Sequence, residues 1–157
     1  MGRTGVIKFK GNPMTLVGNE VKVGDQAPDF TAHYYQDGMQ TLSTSDLKGE
    51  PTIISVVPSL DTPVCAQQTK RFNQELAELG DKINAVTVSL DLPFASKRFC
   101  GVEDISNMQV VSDYQDRSFG QNWGMLIDEL KILARGIFVL DADGKVAYKE
   151  VVSEVAN

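Results

Sequence analysis

Histidine occurs once in this chain of 157 residues, as His33, and cysteine twice, as Cys65 and Cys100. Three such residues cannot complete a zinc centre unless carboxylates or water join them, so no metal is expected. Two cysteines are also too few for a disulfide-stapled secreted scaffold, and a domain of this length can bury enough core without one. In a reducing compartment such a pair is either inert and buried or engaged in redox work. No apolar run approaches the roughly 20 residues that span a bilayer. The N-terminal Met1-Gly2-Arg3-Thr4-Gly5 leads into the alternating Val6-Ile7-Lys8-Phe9-Lys10 without the apolar stretch of a signal peptide, so a cytoplasmic protein without a membrane partner is expected. Basic residues are in deficit, 15 Lys and Arg against 21 Asp and Glu. The resulting net charge of −6 argues against a nucleic-acid surface, which needs clustered Lys and Arg. Repeats, low-complexity segments and linkers are likewise missing, which leaves one domain.

What the chain does contain centres on Thr52-Ile53-Ile54-Ser55-Val56-Val57, a continuous β-branched run with the composition of a strand buried on both faces. It ends at Pro58. The spacing Cys65, Thr69, Phe72, Leu76, Leu79 follows a 3.6-residue period and predicts a helix of about four turns, with Gly80 as its C-cap. Ile83 to Leu90 reads as a second strand, giving a right-handed parallel βαβ unit. In such sheets reactive groups gather at the carboxyl ends of strands, where Cys65 falls.

The flanks supply less specific signals. Val6 to Lys10 and Met14 to Val17, around Gly11-Asn12-Pro13, predict an N-terminal hairpin covering one end of the core. A strand near Asp29 to His33 precedes the turn Gln36-Asp37-Gly38, and Ser43 to Leu47 reads as one helical turn. Asp91-Leu92-Pro93 predicts the start of a short helix, Phe94 to Cys100, ended by Gly101, which puts Cys100 in a last turn that frays easily. Gln109 to Ser112 reads as a strand and Gln115 to Trp123 as helix. Gly136 to Leu140 and Lys145 to Tyr148, around Asp141-Ala142-Asp143-Gly144, predict a hairpin. That turn has part of a calcium-loop pattern, but the remaining ligands are absent. Trp123 and Phe119 are expected in the core or an interface, and His33 outside any catalysis.

Free cysteine is often a small buried core residue, so position has to decide between packing and reactivity. Thr62 is a good N-cap, Pro63 suits the first helical position, and Cys65 then falls at the third. There, unpaired backbone N–H groups and the helix dipole lower a thiol pKa from about 8.5 to roughly 3.5–7.5. At neutral pH that turns about 3% thiolate into a mostly ionised nucleophile. Cys100 has a weaker positional case, because Phe99-Cys100 also fits simple inward packing.

The pattern Pro58-x-x-x-Thr62-x-x-Cys65 matches the proline, threonine and cysteine signature of the peroxiredoxins. The longer run Val57 to Cys65, with Thr69, Phe72 and Asn73, resembles their thiol peroxidase (Tpx) subfamily. Phe9-Lys10-Gly11-Asn12-Pro13, Val23 to Phe30, Ser89 to Ala95, Arg98-Phe99-Cys100-Gly101 and Leu133-Ala134-Arg135 extend the likeness over about residues 6 to 155. The resemblance implies an α/β thioredoxin-like fold, with a central mixed sheet flanked by helices and an N-terminal β-hairpin. It implies an atypical 2-Cys peroxiredoxin that reduces hydrogen peroxide and organic hydroperoxides, with Cys65 the peroxidatic and Cys100 the resolving cysteine. Thr62 and Arg135 would complete the peroxide site beside Pro58. An intramolecular Cys65–Cys100 disulfide, re-reduction by thioredoxin, a homodimer and no cofactor are also implied.

Elementary chemistry agrees with these roles. A thiolate that attacks a peroxide oxygen expels hydroxide or alkoxide, so it needs an orienting group and positive charge where the anion develops. Arginine suits because it stays protonated and cannot compete as a base. The residues alone admit Thr62 as an N-cap only, a role that can coexist with the peroxide-orienting one that the resemblance implies. The cysteines lie on separate predicted helices, while a disulfide needs Cα atoms within about 7 Å, so one or both helices must unwind locally, Cys100 beside Gly101 the more readily. The subfamily continues past the position of Asn157 with another helix, so a single domain without that helix is expected, with an apolar sheet face exposed unless a partner chain fills the gap. The residues alone also admit a general thiol–disulfide exchange protein, although Cys65-Ala66-Gln67-Gln68 lacks the second cysteine of C-x-x-C, and a non-catalytic binding module with buried thiols.

Overall fold

Lys10 and Gly11 both have positive φ, 50° and 82°, the backbone that a two-residue hairpin turn demands. They join β1 (Arg3–Phe9) to β2 (Asn12–Val17) in the computed structural model, which describes residues 2–47, 49–61, 63–79, 83–103, 105 and 108–154, without the side chains at 63–65 and 75–79. The expected hairpin is therefore present, but its turn lies before Asn12. Pro13 sits within β2 opposite Lys8.

Next come β3 (Thr31–Tyr35) and β4 (Met39–Ser43), paired around the Gln36-Asp37-Gly38 turn, and a single 3₁₀ turn at Thr44–Leu47. The β-branched run forms β5 (Thr52–Val56), followed by α1 (Pro63–Leu79) and β6 (Asn84–Ser89). Gly80, the expected cap of α1, lies outside the described residues. Then follow α2 (Pro93–Glu103), β7 (Gln109–Ser112), α3 (Ser118–Asn122), β8 (Leu126–Ile127), β9 (Ile132–Leu133), β10 (Gly136–Leu140) and β11 (Val146–Val151). The strands form one sheet in the order β11-β10-β5-β6-β7-β3-β4 and a smaller one in the order β1-β2-β8-β9. The β5-β6-β7 centre is parallel and its flanks antiparallel, which is the mixed α/β sheet expected.

Register separates the two faces of the large sheet. Ile54, Val56, Val86, Val88, Val111 and Phe138 face α3 and the small sheet, in one core with Ile7, Leu16, Leu126 and Leu133. There Trp123 stacks on Phe119 at 4.9 Å and meets Phe138 edge-on at 5.0 Å, while its Nε1–H donates to the Pro28 carbonyl at 3.1 Å. Both aromatics are thus core residues. The opposite face carries α1 and α2, with a second, smaller cluster of Val57, Leu60, Ile105 and Val110. On that face Ile53, Ile137 and Val139 are only half-buried, and Tyr148 is exposed.

α3 is shorter than its sequence pattern predicts because Arg117 adopts a left-handed φ of 52°, confining the helix to the residues after it. Asp113 secures its start, accepting the Phe119 and Gly120 N–H groups at 2.9 and 2.8 Å. Burial pushes this carboxyl from 3.8 up to about 6, against the two amide donors. Asp113→Ala orphans both buried donors and is expected to cost about 2 kcal/mol in urea unfolding at pH 7. A carboxyl whose folded pKa is raised contributes most below its unfolded pKa and loses that contribution as pH rises through the folded one. The advantage of the parent over the variant should therefore shrink between about pH 4 and pH 6; an advantage that grows over this window would show that Asp113 is not the group responsible.

Candidate active site

The parallel strands β5 and β6 end side by side, and a helix leaves each of them. α1 begins at Pro63, so Cys65 occupies the third helical position, among the first-turn N–H groups that an α-helix leaves unpaired. Thr62 and the side chain of Cys65 lie outside the described residues. Pro58 is buried just after β5 and, with Ser59, Asp91, Tyr114 and Arg117, lines a cavity of about 220 Å³.

Arg135 reaches this end of the sheet from the other side. It immediately precedes β10, whose Gly136 pairs with Val56 at the carboxyl end of β5. A Cβ at Gly136 would come within 2.7 Å of the Glu150 carbonyl, so only glycine lets the strands close at this point. Arg135 is 5% exposed, a burial that a guanidinium tolerates only when hydrogen-bonded. Its Nη1 donates to Gln68 Oε1 at 2.7 Å, and Gln68 Nε2 donates to Ser55 Oγ at 2.9 Å. Gln68 is three residues after Cys65 on α1 and shares that side of the helix. A fixed positive charge is thus anchored one turn beyond Cys65 on the helix that Pro63 begins.

Cys100 lies on α2, half-buried, and carries a free thiol. Burial pushes its pKa from 9.0 up to about 11. α2 runs through Gly101 to Glu103, three residues beyond Cys100, so the cysteine opens the last turn; Gly101 did not end the helix. The Ile105 N–H closes that end on the Cys100 carbonyl at 2.9 Å. A cavity of about 330 Å³ beside Cys100 is also lined by Ser96, Tyr34, Ile105 and Met108. The buried Ser96 hydroxyl has no hydrogen-bond partner among the described residues. α1 and α2 are joined by the Lys70–Glu103 ion pair at 3.3 Å. The cysteines therefore sit on neighbouring helices rising from adjacent strands.

Three members of this arrangement escaped sequence reading. Ser55 is a polar residue inside an otherwise apolar central strand, and Gln68 lies one helical turn beyond the cysteine; together these were the available signal. Asp91 was expected to begin α2, but its carboxylate turns back to the Pro58 loop, accepting Ser59 Oγ–H at 2.8 Å and Leu60 N–H at 2.7 Å. His33 packs edge-on against Tyr114, with ring centroids 5.8 Å apart. The Asp141 carboxylate accepts the Asp143 and Lys145 N–H groups, which makes that segment a self-capped β-turn.

The Redoxin family profile matches residues 22–157. The thiol peroxidase of Bacillus subtilis is 56% identical over 151 residues, covering 96% of this chain and 89% of that protein. The thiol peroxidase of Halalkalibacterium halodurans is 50% identical over the same shares of the two chains. Among solved structures, a peroxiredoxin-like protein from Aquifex aeolicus superposes with a TM-score of 0.89 at 43% identity, covering 99% of this chain and 89% of the other.

Proposed function

Since the chain belongs to the thiol peroxidases of the redoxin family, we propose that it reduces peroxides through Cys65 as the attacking and Cys100 as the resolving cysteine. The Cys65 thiolate attacks the distal oxygen of hydrogen peroxide or an organic hydroperoxide. An S–O bond forms, the O–O bond breaks, and the departing hydroxide or alkoxide takes a proton to leave as water or alcohol. Thr62 orients the peroxide, while Arg135 favours the thiolate and the developing negative charge. Cys100, giving up its thiol proton, then attacks the Cys65 sulfenic acid; the S–S bond forms, the S–O bond breaks, and the departing hydroxide takes a proton to leave as water. Thioredoxin, a dithiol reductant of the cytoplasm, returns both cysteines to thiols, and the working form is a homodimer.

The observation that carries this reading is the Ser55–Gln68–Arg135 chain, which holds a buried cation against the helix whose first turn carries Cys65. Cys100 is held back by burial, in keeping with a thiol that acts only after α2 moves. One equivalent of hydrogen peroxide, followed by mass spectrometry without reductant, should yield a Cys65–Cys100 disulfide. Cys100→Ser should instead accumulate a Cys65 sulfenic acid and stop turning over with thioredoxin. Unchanged thiols in the parent, or sustained thioredoxin-linked turnover by Cys100→Ser, would reject these assignments.

A further inference from the structure

We propose that Asp91 is a positioning residue for this peroxidase reaction, a clamp whose release times the passage from peroxide attack to disulfide formation. The inference rests on the roles given above to Cys65 and Cys100. Asp91 follows β6 by two residues, beside the loop that runs from β5 to Cys65. Its Oδ1 accepts Ser59 Oγ–H at 2.8 Å, and its Oδ2 accepts both Leu60 N–H at 2.7 Å and Ser89 Oγ–H at 2.8 Å. Ser89 Oγ in turn accepts the Asp91 N–H at 3.2 Å, which locks the carboxylate to the strand end. Hydrogen bonds to an ionised acceptor are roughly twice as strong as neutral ones, so a single side chain fixes the loop from below.

The second half of the clamp is apolar. Leu60, held by its N–H, is 4% exposed and belongs to the small cluster of Val57, Ile105 and Val110, against which Phe99, Cys100 and Met108 pack. The loop that delivers Cys65 and the packing around Cys100 therefore share Val57 and Leu60, and Asp91 holds the backbone of Leu60. While the clamp is closed, the Cys65 end stays ordered for attack and Cys100 stays covered. When it opens, Leu60 can leave the cluster and the cover over Cys100 loosens. Asp91 accordingly favours the first chemical step and opposes the second. A side chain that merely stabilised the fold would not shift the two steps in opposite directions.

Rapid mixing of the reduced protein with hydrogen peroxide, acid quenching and intact-mass analysis resolves both steps. Asp91→Asn keeps the shape but removes the charge and one acceptor. It should slow the bimolecular loss of the Cys65 thiol about tenfold while speeding conversion of the sulfenic acid to disulfide several-fold. In excess peroxide, a second peroxide oxidises the sulfenic acid to sulfinic acid with release of water, in competition with the disulfide. The sulfinic fraction should therefore fall in Asp91→Asn. Ser59→Ala removes a single bond to the clamp and should move both rates in the same directions by less, which decides the matter if Asp91→Asn does not fold. A parent that forms no disulfide overturns the underlying reading and the clamp with it. A competent parent whose two rates shift together, or not at all, in the folded variants overturns the clamp alone.

Discussion

Replacing Cys65 with serine is expected to lower peroxide turnover at least about 10³-fold, with no rescue by the remaining cysteine. A serine hydroxyl is not ionised at neutral pH and cannot take the oxygen as a sulfenic acid. Cys100 cannot stand in for it, because burial holds its pKa at about 11. At pH 7 only about one Cys100 in 10⁴ is then a thiolate, and the thiolate is the nucleophile. Peroxide consumption with dithiothreitol as reductant avoids any dependence on thioredoxin and measures this directly. Residual turnover above a tenth of the parent would show that Cys65 is not the attacking residue.

Arg135→Met should slow the oxidation of Cys65 by peroxide about 10²-fold, the magnitude typical for removing one preorganised donor from a developing oxyanion. Methionine replaces much of the buried volume, so the loss reports charge more than packing. The sign extends to pH. If Arg135 favours the Cys65 thiolate as proposed, removing the guanidinium should move the pH profile of iodoacetamide modification to higher pH. Lysine should not restore the rate, since a point charge cannot reproduce the planar donor that meets Gln68 at 2.7 Å. A superimposable alkylation profile for parent and Arg135→Met would remove Arg135 from the electrostatics of the site.

The elements nearest this chemistry were the most legible in the sequence, for identifiable reasons. β5 announces itself by a β-branched run and α1 by a 3.6-residue period, and the strand that follows fixes the parallel crossover. The elements that escaped notice are those whose pairing is not local. β8 and β9 contribute two residues each; Leu16 and Val17 offer β8 an edge and β8 offers one to β9, a condition no short window records. β4 is the weaker half of a hairpin whose first strand alone carried a signal. α3 is shorter than its sequence pattern predicts, since nothing in Gln115 to Arg117 announces the left-handed residue that delays it. Of the residues proposed for the site, Cys65, Cys100 and Arg135 stand out in the sequence by motif context. Gln68, Ser55 and Asp91 act through partners 13 to 67 positions away, so their roles emerge only once the chain is folded.

The chain's single tryptophan is packed at 1% exposure between Phe119 and Phe138, on the face of the sheet opposite both cysteine-bearing helices. Tryptophan fluorescence, excited selectively over the tyrosines, therefore observes only that half of the protein. An unchanged emission spectrum during a redox cycle is what this arrangement produces when α2 moves alone, while a red shift marks loss of the far core. The indole thus serves as an internal control that separates a working motion from global denaturation.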